Sequence, residues 1–508
     1  MNIKDAKQEM IHTIKAYTAR NESGACAIPP VRQRPVLLIG PPGIGKTAVM
    51  EQAAAECGIG FVSYTMTHHT RQSAVGLPFI EHHQFDGRDY AVTEYTMSEI
   101  LSTVYQCIEE TGCREGLLFL DEINCVSETL APSMLQFLQN KTFGSHRLPE
   151  GWILAAAGNP QEYNKSVREF DIATLDRLKY ITVEADYDAW RPYALENCIH
   201  GAILSYLDTH REQFYILNQT YTVKEFVTAR GWEDLSCLLL QYERLDLPVT
   251  PALVEQYLHC ESLAKDFSGY YQLYLSRKKA VPIAAMIEGN QDAFCSCSRI
   301  LTESAFDEKL YLVHLMLSYL GIRFHQYEEG QQRLRGTIEV QDRFRRYLGQ
   351  KNCTSPAEVI ATFLEKEHEI LAIRQKHGLS SEQEIRNVQE ALYDFQKMYY
   401  DFRSGQVMDD HTVSEDIVVY FQEEKNRRSL ALTQDAGRLC SMLEQCIRFL
   451  EQSGGAEFTL FLSSLYQNPL ALSFFRYHPC ERCEQYRNRL NFKSREEALK
   501  EQLTSLLP

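Results

Sequence analysis

The chain has 508 residues, 44% hydrophobic and 24% charged, a composition typical of globular proteins, and its length predicts two to four domains. The chain has 52 Lys and Arg residues and 68 Asp and Glu residues, which gives a formal charge of −16. Since no basic run is present, direct contact with nucleic acid is not expected. The N-terminus lacks a signal peptide's apolar core and no apolar run approaches a membrane span, so the 15 cysteines are expected to be reduced thiols of a cytoplasmic protein.

The first 185 residues alternate short apolar runs with helical patterns. The apolar runs predict five buried parallel strands, at residues 35–40, 60–66, 116–122, 152–159 and 180–185. Since helical segments separate these strands, the simplest architecture is a doubly wound α/β sheet. One insertion, residues 77–96, contains two alternating runs around Asp86-Gly87 and predicts a β-hairpin.

From residue 186 onward the pattern is mainly helical. Residues 186–290 are rich in Tyr and Leu, with a break at residues 245–251. Capping signals at Ser355 and Ser381 mark two later helix starts. The helical spacing after Ser381 holds for only two heptads, which favours a helix packed in a bundle over a coiled coil.

The segment GPPGIGKT, residues 40–47, fits the phosphate-binding pattern G-x-x-x-x-G-K-[ST]. It follows a predicted strand and precedes a predicted helix, which is the context that this loop requires. Its backbone N–H groups would face phosphate oxygens at a helix N-terminus, Lys46 would reach the β- and γ-phosphates, and Thr47 would ligate Mg²⁺. A chance Gly/Pro turn before a helix is the structural alternative.

Two further strands end in polar residues. The strand at residues 117–122 ends in Asp121 and Glu122, at the edge where open α/β sheets bind ligands. Asp121 is placed to hold Mg²⁺ and Glu122 to orient the attacking water. Strand ends are often acidic for structural reasons, but here the pair lies downstream of a phosphate-binding loop. The next strand ends at Asn159-Pro160, and its amide is a candidate sensor of the γ-phosphate.

The stretch DIATLDRLKY, residues 171–180, predicts a short helix. Its apolar face is expected to turn Ile172, Leu175 and Leu178 toward a core. Arg177 lies off that face, so its guanidinium would meet a charge elsewhere, in this chain or in another.

The sequence resembles the AAA+ ATPases. They carry the phosphate-binding loop, the strand that ends in Asp-Glu, the strand that ends in Asn and the Leu-Asp-Arg motif in the same order. The stretch from residue 118 to residue 160, with its LDEIN and GNP motifs, is similar to the MoxR-like and dynein-related members, and the hairpin at 77–96 falls where that clade carries its helix insertion. The resemblance covers about residues 30–240. It implies a nucleotide-binding core at residues 1–185, a helical lid at 186–290 and a helical C-terminal region, 291–508, of unknown role.

The resemblance also implies the parts of the site. Asn159 would be the first sensor, Glu122 the catalytic carboxylate, and Arg177 an arginine finger that reaches the γ-phosphate held by the next subunit, with Arg168 as the runner-up. Pairing of Arg177 with Asp176 or a neighbouring helix is the alternative. Thr47 and Asp121 would hold the metal. The predicted nucleotide-binding residues are Gly40, Pro41, Pro42, Gly43, Ile44, Gly45, Lys46, Thr47 and Ala48.

Arg230 matches the family's second sensor, at the start of a lid helix that Thr228 would cap. The common family form is Ser-Pro-Arg, whereas this chain has Thr-Ala-Arg, which leaves the helix start open. An arginine at a helix start opposes the helix dipole, so a purely structural role is disfavoured.

Other motifs receive less weight. Cys480 and Cys483 form a C-x-x-C pair, but a structural zinc site needs four protein ligands, and even His478 would supply only a third. The histidine pairs at 68–69 and 82–83 lie near the inserted hairpin and could contact a client from a central pore, although surface histidines are ordinary. No protease or transferase arrangement occurs at a recognisable spacing.

These features favour a MoxR-like AAA+ ATPase, dependent on ATP and Mg²⁺, that assembles as a homo-hexameric ring and remodels or matures a client protein. A partner with a von Willebrand factor A domain is what the resemblance implies. The alternative is a nucleotide-driven motor subunit of a nucleic-acid-directed, restriction-type complex. A nucleotide-switched scaffold is disfavoured, since a pure switch has no need of Glu122.

Overall fold

The computed structural model describes residues 1–68, 71–163, 167, 170–219, 224–303, 306–348, 356–376, 379–380, 382–405, 413–452 and 455–489. These residues form two compact units. One unit combines Met1–Asp186 with Cys353–Glu390, and the other combines Tyr187–Asn352 with Ala391–Pro508. The division into a core, a lid and a C-terminal region stays a prediction.

The chain up to residue 186 contains nine strands and six α-helices among its described residues. The helices are α1 (Ile3–Thr18), α2 (Lys46–Cys57), α3 (Arg71–Val75), α4 (Glu99–Thr111), α5 (Ala131–Asn140) and α6 (Ile172–Leu175). The strands are β1 (Val36–Ile39), β2 (Gly60–Thr65), β3 (Pro78–Phe85), β4 (Arg88–Tyr95), β5 (Gly116–Asp121), β6 (Thr142–Phe143), β7 (His146–Arg147), β8 (Trp152–Gly158) and β9 (Lys179–Thr182).

All five strands that the apolar runs predicted join one parallel sheet, in the order β2-β5-β8-β1-β9. The middle strands are buried on both faces, which explains why they read as continuous apolar runs. One face packs against α4 and α5 through a core that includes Leu118, Leu154, Val104 and Phe137. The predicted α/β architecture is therefore confirmed.

The insertion at residues 77–96 forms the predicted hairpin. Strands β3 and β4 pair antiparallel along their whole length, from Pro78 opposite Tyr95 to Phe85 opposite Arg88. The turn residues Asp86 and Gly87 both have positive φ, 51° and 74°, as a two-residue turn of this type requires.

The prediction for residues 171–180 was wrong in one respect. Leu178 is buried and Leu175 packs against the core, but Ile172 is 86% exposed. The physical reason is length: α6 is a single turn of four residues, so its first residue projects away before the helix can repeat an apolar face.

The described residues after 186 are mainly helical and include one hairpin that the sequence pattern did not predict. Strands β10 (Ile216–Gln219) and β11 (Lys224–Val227) pair antiparallel. The helices are α7 (Tyr187–Glu196), α8 (Gly201–Thr209), α9 (Ala229–Arg244), α10 (Pro251–Leu258), α11 (Glu261–Ala280), α12 (Ile283–Ile287), α13 (Gln291–Glu303), α14 (Phe306–Leu348), α15 (Pro356–Lys376), α16 (Glu382–Gly405), α17 (Val413–Glu451), α18 (Ala456–Gln467), α19 (Pro469–Tyr477) and α20 (Glu481–Arg489).

Long helices organise the second unit. Helix α14 packs along α17 and also contacts α18 and α19. The ring of Phe395 on α16 lies between Phe344 of α14 and Phe421 of α17. The predicted caps Ser355 and Ser381 lie outside the described residues. Among the described residues, no helix is both long and apolar enough to cross a membrane.

Candidate functional site

The predicted phosphate-binding loop connects β1 to α2. Residues Gly40–Gly45 form the loop, and α2 begins at Lys46, so Lys46, Thr47 and Ala48 are its first turn. Gly45 caps that turn with a left-handed backbone, φ 89°. The loop therefore places backbone N–H groups and the positive end of a helix at the sheet edge, where they can bind phosphate.

Lys46 and Asn159 lie together. The ammonium of Lys46 donates to Oδ1 of Asn159 at 2.8 Å and to the carbonyls of Gly40 and Pro41, each at 2.8 Å. The sheet brings them together because β1 and β8 are parallel neighbours in which Ile39 pairs with Gly158. The loop and Asn159 follow those two residues directly. Lys46 is 8% exposed, and its ammonium lies between the loop and the sensor amide.

Thr47 and Asp121 form a second contact across the site. The Thr47 hydroxyl donates to Oδ2 of Asp121 at 2.6 Å. A hydroxyl and a carboxylate are oxygen ligands of the kind that Mg²⁺ prefers, together with water and substrate phosphates. The chemistry of this donor set fits the predicted metal.

Glu122 follows the end of β5 in a left-handed conformation, with φ 54° and ψ 36°. Non-glycine residues rarely adopt this region, and functional sites are where such strain concentrates. Its N–H donates to Asp121 Oδ1 at 2.9 Å, and its Oε2 accepts from the Thr67 hydroxyl at 3.0 Å. Thr67 lies in the turn after β2, and sequence reasoning missed it because a lone threonine after a strand gives no pattern signal.

Asn124 is the second residue that sequence reasoning did not assign to the site. It is buried, 5% exposed. Its Nδ2 donates to the carbonyl of Asn159 at 2.7 Å, and its Oδ1 accepts from the N–H of Asn159 at 3.3 Å. A Cβ at Gly158 would lie 2.4 Å from this Oδ1, so the glycine makes room for the amide. Asn124 therefore fixes the backbone of the sensor residue to the segment after β5.

Arg177 is exposed in the turn that follows α6. Asp171 caps α6, and hydrogen bonds from Thr174 lower the pKa of the Asp171 carboxyl. The Arg177 guanidinium donates to the neutral Gln139 Oε1 at 2.5 Å. Among the described residues, no carboxylate forms an ion pair with Arg177. The runner-up, Arg168, lies outside the described residues.

Arg230 belongs to the second unit. It is exposed at the second residue of α9, and Thr228 caps that helix by accepting from the N–H of Gly231 at 3.1 Å. The helix thus starts where the sequence placed it even without the family's proline. The role of Arg230 stays a prediction.

The C-x-x-C pair lies at the start of α20. Cys480 Sγ accepts from the N–H of Cys483 at 3.4 Å, and a hydrogen bond from the Cys483 side chain lowers the pKa of Cys480 to about 7. His478 Nε2 forms a hydrogen bond of 2.8 Å with the Tyr327 hydroxyl. Within the described part of the chain, these residues do not form a cluster of three potential metal ligands.

The first unit therefore brings together the predicted loop, Lys46, Thr47, Asp121, Glu122 and Asn159 at one edge of the sheet. The N–H groups and the ammonium can bind phosphate, the Thr47 and Asp121 oxygens can bind Mg²⁺, and the Glu122 carboxylate can orient a water molecule. This arrangement is suited to hydrolysis of a nucleoside triphosphate.

Comparison with known proteins agrees with this chemistry. Residues 36–175 match the model of the ATPase family associated with various cellular activities, AAA. The chain thus contains an AAA domain, which indicates P-loop ATPase activity. Among solved structures, C. elegans PCH-2 is similar to this chain, with 15% sequence identity, 43% of this chain and 51% of that chain covered, and a TM-score of 0.24. The match spans about half of that chain. No curated protein matches the sequence.

Proposed function

We propose that this ATPase is MoxR-like, depends on Mg²⁺, assembles as a homo-hexameric ring and uses hydrolysis to remodel a client protein. The observation that carries the proposal is a hydrolytic edge in one unit together with an exposed Arg177 whose hydrogen-bond partner, among the described residues, is the neutral amide of Gln139. The motif order and the inserted hairpin support the MoxR-like assignment, and the hairpin is present as β3 and β4.

Each residue of the edge has a task in this proposal. The loop from Gly40 to Ala48 binds the phosphates of ATP, and Lys46 exchanges its present acceptors for phosphate oxygens. Thr47 and Asp121 hold Mg²⁺, which when bound neutralises charge on the β- and γ-phosphates. Glu122 orients the attacking water. Asn159 binds the γ-phosphate through its side-chain amide, whose Oδ1 lies 2.8 Å from the Lys46 ammonium.

Arg177 acts on the neighbouring subunit. An exposed guanidinium bonded to an uncharged amide can leave that partner at low cost, because no desolvated ion pair has to be broken. Arginines that act in trans on a transferring phosphoryl group contribute about 10³–10⁵ in rate. Ile172, exposed five residues earlier, supplies apolar surface for the same contact.

Hydrolysis then releases Arg177, and the predicted lid, residues 186–290, moves in response. The C-terminal helical region selects the client, directly or through a partner with a von Willebrand factor A domain.

The test is a mixing experiment. We expect Arg177→Ala and Glu122→Gln each to have little ATPase activity alone and to recover turnover when mixed, because a mixed ring contains sites with an intact Glu122 and a neighbouring Arg177. The measurement is ATPase rate against protein concentration and mixing ratio.

Gln139→Ala is the matched control, since it removes the partner of Arg177 within the chain but leaves the arginine. A trans role predicts nearly normal turnover for Gln139→Ala. If Gln139→Ala is as inactive as Arg177→Ala and mixing restores nothing, then Arg177 serves its own fold and the ring mechanism is wrong.

A further inference from the structure

The hairpin formed by β3 and β4 places three potential metal ligands on one face. Glu81 and His83 are two residues apart on β3, so their side chains share a face. Phe79, two residues before Glu81 on β3, belongs to the same face, and Glu94 of β4 lies directly opposite Phe79. The two carboxylates and the imidazole therefore come from both strands and meet on one side of the ribbon.

Their donor atoms are close. His83 Nε2 lies 3.2 Å from Glu94 Oε1 and 3.9 Å from Glu81 Oε2, and one donor atom from each residue lies within 4.8 Å of the other two. In a tetrahedral zinc site with bonds of about 2.0–2.1 Å, neighbouring ligand atoms are about 3.3 Å apart. The side chains are 37–51% exposed, so the carboxylates have the freedom to close the remaining distance.

The two carboxylates of the cluster carry negative charge. Within the described ranges, neither Glu81 nor Glu94 forms an ion pair with a lysine or an arginine, and His83 is the partner of both. Two carboxylates with one imidazole leave a net charge of −2 or −1, depending on the protonation of the imidazole. A divalent cation would neutralise that charge, whereas a protonated histidine alone would not.

We propose that Glu81, His83 and Glu94 bind a divalent transition-metal ion of the zinc type, with the fourth position open to water. An imidazole and two carboxylates are ligand types that zinc accepts, and a water in the fourth position completes the tetrahedral shell. The proposal does not depend on the ATPase site, because none of the three residues belongs to it.

The ion would join the two strands of the hairpin. An isolated two-stranded hairpin is marginally stable in water, and most residues of β3 and β4 are exposed. A metal bound to both strands therefore adds a cross-link where side-chain packing is sparse. It also fixes the register of a segment that carries the exposed apolar residues Phe79, Ile80 and Phe85.

The test uses Co²⁺ alone as the probe, because four-coordinate Co²⁺ has a visible spectrum that reports its geometry. We expect the full-length protein to bind Co²⁺ with visible bands and without the near-ultraviolet charge-transfer band of a thiolate ligand, and excess Zn²⁺ to displace it. Loss of a direct ligand in His83→Ala should weaken binding by more than the ~10–100-fold that an outer-sphere partner contributes.

His82→Ala is the matched control, because residue 82 is the next histidine of the same strand and faces the opposite side. It should retain the spectrum, and Glu94→Gln should lose it. If His83→Ala retains the visible bands, the metal lies elsewhere and the proposal is wrong. If the wild-type protein binds neither Co²⁺ nor Zn²⁺, the proposed metal site is also wrong. The cluster is then a contact between a histidine and two carboxylates and no more.

Discussion

At the scale of single residues, the site depends on polar side chains that hold the ends of neighbouring strands. Lys46 links the loop to Asn159, and Thr47 links α2 to Asp121. Asn124 holds the backbone of Asn159 from the far side. The phosphate-binding loop and the sensor are therefore joined by direct hydrogen bonds, so displacement of one affects the other.

Asn124→Leu tests this connection. Leucine has a similar size but leaves the N–H and the carbonyl of Asn159 without their partner, which costs ~1–3 kcal/mol in stability. A shift of the sensor amide should also lower kcat, by up to ~100-fold. The measurements are kcat and KM for ATP, with urea unfolding alongside.

Asn124→Asp keeps the acceptor and loses the donor, so its kcat should fall between those of the wild type and Asn124→Leu. Asn140→Leu makes the same substitution at an exposed asparagine of α5 and is the control for the loss of a polar side chain at the surface. Equal kcat values for Asn124→Leu and Asn140→Leu would show that the sheet alone positions Asn159.

At the scale of elements, one partly buried carboxylate connects three helices of the second unit. Glu243 on α9 contacts His200, which caps α8, at 2.9 Å, and accepts from Lys278 of α11 at 2.8 Å. Burial alone would raise the pKa of Glu243, but the hydrogen bonds and charges of His200 and Lys278 lower it to about 2. The ionised form is therefore the one that the fold stabilises.

This lowered pKa predicts how stability depends on pH. A carboxyl group whose pKa is lower in the folded state stabilises the protein above its unfolded pKa, and the contribution is lost as the pH falls toward 2. We expect Glu243→Gln to cost about 3 kcal/mol at pH 7 and the difference from the wild type to vanish near pH 2.

Urea unfolding of the full-length protein across this pH range measures the difference. Glu255→Gln, at an exposed glutamate of α10, is the control and should have a small effect at every pH. A cost of Glu243→Gln that stays constant from pH 7 to pH 2 would mean that its packing matters and its charge does not.

At the scale of the whole molecule, the proposed ring needs a surface around Arg177. Ile172 is exposed to 86%, and an isoleucine at the tip of a one-turn helix is suited to packing against a second copy. We expect Ile172→Asp to weaken assembly, because a charge would be buried at the interface, and to reduce ATPase activity most strongly at low protein concentration.

Analytical ultracentrifugation with ATP and Mg²⁺ measures this assembly. Leu430→Asp, at an exposed leucine of α17, makes the same chemical change on the second unit and should leave assembly intact. Wild-type sedimentation of Ile172→Asp would exclude this surface from the ring contact.

The sequence by itself determined the features that are local in the chain. The loop at residues 40–47 is contiguous, and the middle strands of the sheet are buried on both faces, so the motif and the apolar runs were sufficient to predict the sheet and the residues at its edge. The hairpin followed from the turn at Asp86-Gly87. These predictions succeeded because each depends on neighbours in sequence.

Only the tertiary structure decided the contacts between distant segments. Thr67 meets Glu122, Asn124 meets Asn159, and Arg177 meets Gln139, although no pattern links the members of these pairs. It also decided that residues 353–390 join the first unit and that Ile172 faces outward. A hydrogen bond or a buried face depends on which segments the sheet and the helices bring together, and one sequence does not encode that proximity in any local pattern.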